Sequence, residues 1–186
     1  MANPDTIALA ASTEAEGLQS VLVGGNAVNL VAYFRTTFDV DLLVRESDSE
    51  RWLSFFQERG YTIFYRTANF IRLRFAADPA AALPVDLMLA DSQTFSAIQR
   101  QSRRCDIGKG LALSIPSPLH LIAMKLHALR SRHRLETGID LQDVKHLIKA
   151  AKIDTDSREF TQIAERYATD AIRTRLQREL SGESGP

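Results

Sequence analysis

At 186 residues, 45% hydrophobic and 25% charged, the chain can bury one medium core or two small ones and has the composition of a globular protein. Its 23 basic residues cancel 23 acidic ones, so no bulk field draws it to nucleic acid or an anionic membrane, and any such contact must come from a local patch. The single cysteine, Cys105, excludes an internal disulfide and reads as a small buried apolar residue. No apolar run nears the roughly 20 residues that span a bilayer, and no signal-peptide pattern opens the chain. These features point to a cytoplasmic protein without a membrane segment.

Residues 4–16 read as a first helix, with Ile7, Leu9 and Ala10 on its apolar face. Val21–Val23 is a short buried strand that ends in Gly24 and Gly25, and a helix is expected over Asn26–Phe34. A Gly pair alone indicates a tight turn. Ahead of a helix N-terminus, it also leaves backbone N–H groups open to a phosphate.

The next apolar run, Phe38–Val44, carries Asp39 and Asp41. Strand residues two apart share a face, so the two carboxylates point one way and Phe38, Val40 and Leu42 point into a core. Two carboxylates side by side repel unless a cation lies between them, and hard oxygen ligands on an apolar strand suit a divalent cation such as Mg²⁺. Arg35, just before them, has three readings: a brace for the carboxylates, a triphosphate contact, or a surface ion pair.

Ser47 and Glu50 have capping-box spacing for a helix that carries Trp52, Leu53, Phe55 and Phe56 to Gly60. Tyr61–Arg66 and Asn69–Phe75 read as an antiparallel pair. Arg72 and Arg74 alternate there with Ile71, Leu73 and Phe75. Such arginines meet a phosphate or an RNA backbone in some sheets, but a solvated face is the commoner reason for the alternation.

Leu83–Leu89 is a further strand, with Asp86 on the face opposite Val85 and Leu87. If it lies beside the Asp39/Asp41 strand, three carboxylates converge. That is the ligand set for Mg²⁺ in in-line phosphoryl transfer, with Asp86 also placed to take the proton of an attacking hydroxyl. A helix over 91–101 and irregular strands over 103–115 complete this part.

From Ser117–Pro118 onward only helices are expected. Leu119, Ile122, Leu126 and Leu129 form one helix face, extended by Leu121 and Ala128, with Lys125 inside the arc. Lys125 either snorkels to the rim or points at an anion. On the next helix Asp140 projects from the apolar face of Leu141, Val144, Leu147 and Ile148, and Asp143 lies at its edge. A Lys125–Asp140 pair is the simplest solution. Arg130, Arg132, His133 and Arg134 form a basic knot, whereas His120 and His127 have no metal-ligand or triad companions. The segment 157–180 reads as one or two helices, with Phe160, Ile163, Tyr167 and Ile172 inward.

Gly24-Gly25, then Arg35-Thr36-Thr37-Phe38-Asp39-Val40-Asp41, followed by Pro84–Met88 and 121–147, resembles the DNA polymerase beta-like nucleotidyltransferase superfamily. More narrowly it is similar to the AbiEii/MenT-type branch, known as toxins of toxin–antitoxin pairs. Many relatives have Gly-Ser where this chain has Gly24-Gly25, so backbone N–H groups would carry phosphate binding here. The resemblance implies an α+β fold with a nucleotidyltransferase-like mixed β-sheet core flanked by helices; the loss of strand patterning near Ser117 divides the chain into that core over 1–116 and an α-helical part over 117–180, and 181–186 reads as a disordered tail.

It also implies an enzyme that moves a nucleoside monophosphate from an NTP to an acceptor hydroxyl. Asp39, Asp41 and Asp86 would be catalytic and hold Mg²⁺. Lys125 would face the phosphates, and Asp140, or else Asp143, would stand near the active site. The nucleotide would meet Gly24, Gly25, Asn26, Arg35, Thr36, Lys125 and Arg130. The acceptor would be a tRNA end or a protein, with a cognate antitoxin as partner. The alternatives are a small-molecule, aminoglycoside-type nucleotidyltransferase and a non-catalytic binding protein of the same fold.

Overall fold

The computed structural model describes residues 5–108 and 110–182 and has the expected α+β architecture. It forms two compact units, one of Met1–Ala27 with Arg35–Ser117 and the other of Val28–Phe34 with Pro118–Pro186.

In the first unit five strands form one sheet. Their order across it is β1 (Ser20–Leu22), β2 (Val40–Arg45), β5 (Val85–Ala90), β4 (Phe70–Phe75) and β3 (Tyr61–Arg66). β2 and β5 run parallel, and each other neighbouring pair is antiparallel. Val40, Leu42 and Val44 of β2, Val85 and Leu87 of β5, and Ile71 and Leu73 of β4 are all 0% exposed. Each such side chain contributes roughly 1.5–3 kcal/mol when fully buried, so this shared face locks the register of the three central strands.

The connecting helices are α1 (Thr6–Ser12), α2 (Gly24–Val31), α3 (Ser49–Gln57) and α4 (Ser92–Arg100). Trp52, Leu53, Phe55 and Phe56 of α3 are buried, as their spacing indicates. β6 (Arg103–Gly108) and β7 (Leu111–Ile115) pair as a separate hairpin.

Three local expectations are corrected. Phe38 is 77% exposed and not in the core, because β2 begins only at Val40 and the alternation does not reach back to it. No capping box forms at Ser47. That residue lies in a 3₁₀ turn, Glu46–Asp48, the helix starts at Ser49, and Glu50 pairs instead with Arg66 at 2.8 Å. Cys105 is half-buried in the two-stranded hairpin rather than in a core.

The second unit holds α5 (Pro118–Ala128), α6 (Arg132–Thr137), α7 (Ile139–Ala150), α8 (Arg158–Tyr167) and α9 (Asp170–Ser181). α7 packs against α5, α6 and α9, and α8 packs against α5. Leu121, Ile122, Leu126 and Leu129 meet Leu141, Val144 and Leu147 in its core, none of them more than 1% exposed. Ser157 and Thr169 cap α8 and α9 through their hydroxyls. Of the expected tail, Ser181 ends α9 and 183–186 lie outside the described residues, as does Pro4 of the expected first helix. Among the described residues no helix is long and apolar enough to cross a membrane.

Candidate active site

The chemistry of the sheet unit gathers on the polar side of its central strands. Asp41 of β2 and Asp86 of β5 are direct partners in the parallel ladder, and Asp86 is in turn opposite Arg72 of β4. Asp39 sits just ahead of β2. Each of Asp39, Asp41 and Asp86 offers a carboxylate oxygen, and these oxygens lie within 4.8 Å of one another.

The turn from β1 into α2 is shaped around this cluster. Gly24 has φ +62°, and a Cβ there would overlap the Asp41 carboxylate, so both backbone freedom and the missing side chain are required. The Val23 N–H donates to the Asp41 carbonyl at 2.9 Å. Asn26 is buried, and its amide Nδ2 donates to the Asp39 carbonyl at 2.7 Å. Thr37 Oγ1 donates to Asp39 Oδ1 at 3.3 Å. A Cβ on Gly25 would lie 2.7 Å from Thr37 Oγ1 and 3.0 Å from Arg35 Nη2, so the second glycine makes room for these two side chains. Arg35 Nη1 also bonds to the carbonyl of the exposed Thr36 at 3.2 Å.

Arg72 is the residue that the sequence pattern misplaced. It does not belong to a solvated face. Its Nε and Nη2 donate to Asp86 Oδ1 and Oδ2 at 2.6 and 2.5 Å, and Nη2 also reaches Asp39 Oδ2 at 3.2 Å. Arg74, two residues on, stacks instead over the Phe64 ring at 3.4 Å. The signal for Arg72 was a lone charge between two core residues, Ile71 and Leu73, matching Asp86 between Val85 and Leu87. Only the cross-strand register joins the two.

Burial pushes the Asp86 carboxyl above its usual range. The bonds from Arg72 offset part of that, and the nearby Asp39 charge adds to it. Those same bonds raise Arg72 above the ordinary guanidinium range. Three converging hard oxygens, one of them from Asp41, whose carboxylate fills the space that Gly24 leaves, fit a divalent cation.

The remaining candidates lie in the helical unit. Lys125 is 5% exposed, and its ammonium donates to Asp140 Oδ1 and contacts Asp143 Oδ2, both at 2.8 Å. Asp143 is 0% exposed rather than at an edge, and Tyr33 donates its hydroxyl to Asp143 Oδ1 at 2.7 Å. Tyr33 also stacks on His146, with ring centroids 3.9 Å apart. Arg134 closes the group with a 2.6 Å bond to Asp140 Oδ2. Arg130 is exposed.

Residues 3–179 match the family model described as "Nucleotidyl transferase of unknown function (DUF2204)". The chain belongs to that family. It is a nucleotidyltransferase, and solved structures share its fold. The antibiotic-resistance factor ANT(2'')-Ia, in complex with adenylyl-2''-tobramycin, has a TM-score of 0.63 at 12% identity, covering 88% of this chain and 97% of that one. An antigenic nucleotidyltransferase-like protein from Paracoccidioides brasiliensis has a TM-score of 0.58 at 16% identity, covering 94% and 89%. The lincosamide antibiotic adenylyltransferase LnuA, bound to lincomycin, has a TM-score of 0.51 at 13% identity, covering 76% and 93%. No curated protein sequence matches the chain.

Proposed function

We propose that the chain transfers a nucleoside monophosphate from an NTP to a hydroxyl of a small molecule, with Asp39, Asp41 and Asp86 holding a divalent cation such as Mg²⁺. The convergence of those three carboxylates within 4.8 Å carries the reading. When bound, the cation would neutralise phosphate charge and orient the transferring group. The acceptor oxygen bonds to the α-phosphorus, the bond from that phosphorus to the bridging oxygen breaks, and pyrophosphate leaves with the electron pair. The hydroxyl proton passes to Asp86, the buried carboxylate of the cluster.

Backbone N–H groups at the start of α2, with Arg35 and Thr36, are assigned to the triphosphate. The resemblance adds Lys125 and Arg130, with Asp140 or Asp143 nearby. Lys125 already bonds two carboxylates, so it would have to release one to meet a phosphate.

A small-molecule acceptor is favoured over a tRNA end for two reasons. The chain carries no excess basic charge. It also shares its fold over most of its length with two antibiotic-directed proteins, both named for adenylyl chemistry. The AbiEii/MenT-type reading, with a tRNA or protein acceptor and an antitoxin, is the second outcome of one experiment. The protein is incubated with labelled ATP or each other NTP, Mg²⁺, and in parallel aminoglycosides, lincosamides or total tRNA, beside Asp39→Ala. Mg²⁺-dependent label on a small molecule is expected, reduced about 10²–10³-fold or more in Asp39→Ala, a span set by losses of single charge-stabilising groups. Label on tRNA or on protein would support the toxin-like reading. No Mg²⁺-dependent NTP binding or transfer would overturn both.

A further inference from the structure

In this structure both oxygens of Asp86 are engaged by Arg72, at 2.6 and 2.5 Å, and the same guanidinium reaches Asp39 at 3.2 Å. The two residues are direct cross-strand partners, so the pairing is built into the register and is not a chance contact of two long side chains. Asp86 is only 4% exposed at its side chain, whereas Arg72 is 32% exposed. The acid is therefore fixed, and the base has an open side toward which to move.

A divalent cation needs lone pairs on the oxygens that Arg72 now covers. A like charge within hydrogen-bond distance of those oxygens repels it strongly. The two cations are mutually exclusive at full contact.

We propose that Arg72 is the resident counter-ion of the acid cluster. It holds Asp86 and Asp39 together before a divalent cation arrives, and it gives up Asp39 and at least one oxygen of Asp86 when the cation binds. This inference rests on the reading of the three acids as a cation site. Arg72 is thus a positioning residue. It makes the folded sheet tolerant of an empty site and sets how tightly the cation is held.

The test uses the full chain without nucleotide and follows Mn²⁺ binding by calorimetry, together with the melting temperature with and without Mn²⁺. Arg72→Gln is expected to bind Mn²⁺ about tenfold or more tightly than the wild type, because one competing charge is gone. It should melt lower than wild type without the ion and recover more when the ion is added. Arg72→Lys, which keeps a charge but loses the fork, should bind close to wild type. An Arg72→Gln protein with unchanged or weaker Mn²⁺ affinity, or a melting loss that the ion does not restore, would mark the pair as purely structural and overturn the proposal. If wild type and Arg72→Gln both bind no Mn²⁺, the three acids are not a cation site, and that earlier reading falls as well. Should Arg72→Gln not fold, the wild type still decides. Mg²⁺ titration should shift the Arg72 Nε–Hε resonance, and a resonance that stays fixed at saturating Mg²⁺ would overturn the exchange.

Discussion

The two charged clusters of this chain are built from the same materials and differ in balance. On the sheet, the Arg72 guanidinium bonds Asp39 and Asp86 of three clustered carboxylates, and these acids outnumber the two arginines named beside them, Arg72 and Arg35. In the helical unit, Asp140 and Asp143 face Lys125 and Arg134 in equal number, and the lysine and both acids are almost sealed from water. A matched, buried group satisfies itself and holds helices together. An acid-rich, partly open one is suited to a cation from outside. The same residue types therefore read differently according to their count and their access to solvent.

Lys125→Met should separate the two most clearly. It leaves two buried carboxylates facing each other and is expected to cost about 3–5 kcal/mol of stability by denaturant titration. A loss near zero would show that the helical cluster is not a structural pair. Gly24→Ala comes next. Its positive φ and the overlap with the Asp41 carboxylate should cost about 1–3 kcal/mol and weaken Mn²⁺ binding in the same protein. A variant with wild-type cation affinity would break the link between that turn and the acids.

The smallest effect is a pH slope. Asp86 holds its proton more tightly folded than unfolded, so its contribution is full below the ordinary carboxylate range and is lost as pH rises through the raised value. Asp86→Asn should flatten that part of the stability curve, measured without divalent ions. An unchanged slope would locate it in another group.

Much of this was legible in the sequence, and the exceptions have a common cause. Period-two alternation put Asp41 and Asp86 on one polar face, because burial of Val40, Leu42, Val85 and Leu87 dictates where the residues between them point. Gly24 was legible as a turn but not as a neighbour of Asp41, since that contact comes from folding β1 back along β2. Arg72 was missed because its role depends on a register between strands, which a single strand does not display. Tyr33 was missed for the same reason at longer range, its partner Asp143 being 110 residues away. Phe38 was misplaced by extending an alternation one pair beyond the true start of the strand.

The order of the sheet has a consequence for biosynthesis. β5 is the last of the five strands to be made, yet it fills the middle position, between β2 and β4. Until residues 85–90 leave the ribosome, the hydrogen-bonding edges of β2 and β4 have no shared partner, and the nascent chain carries two open templates for stray strand addition. Insertion of that one segment both closes those edges and delivers Asp86 to its neighbours. Completing the sheet and gathering the three acids are then a single step of maturation.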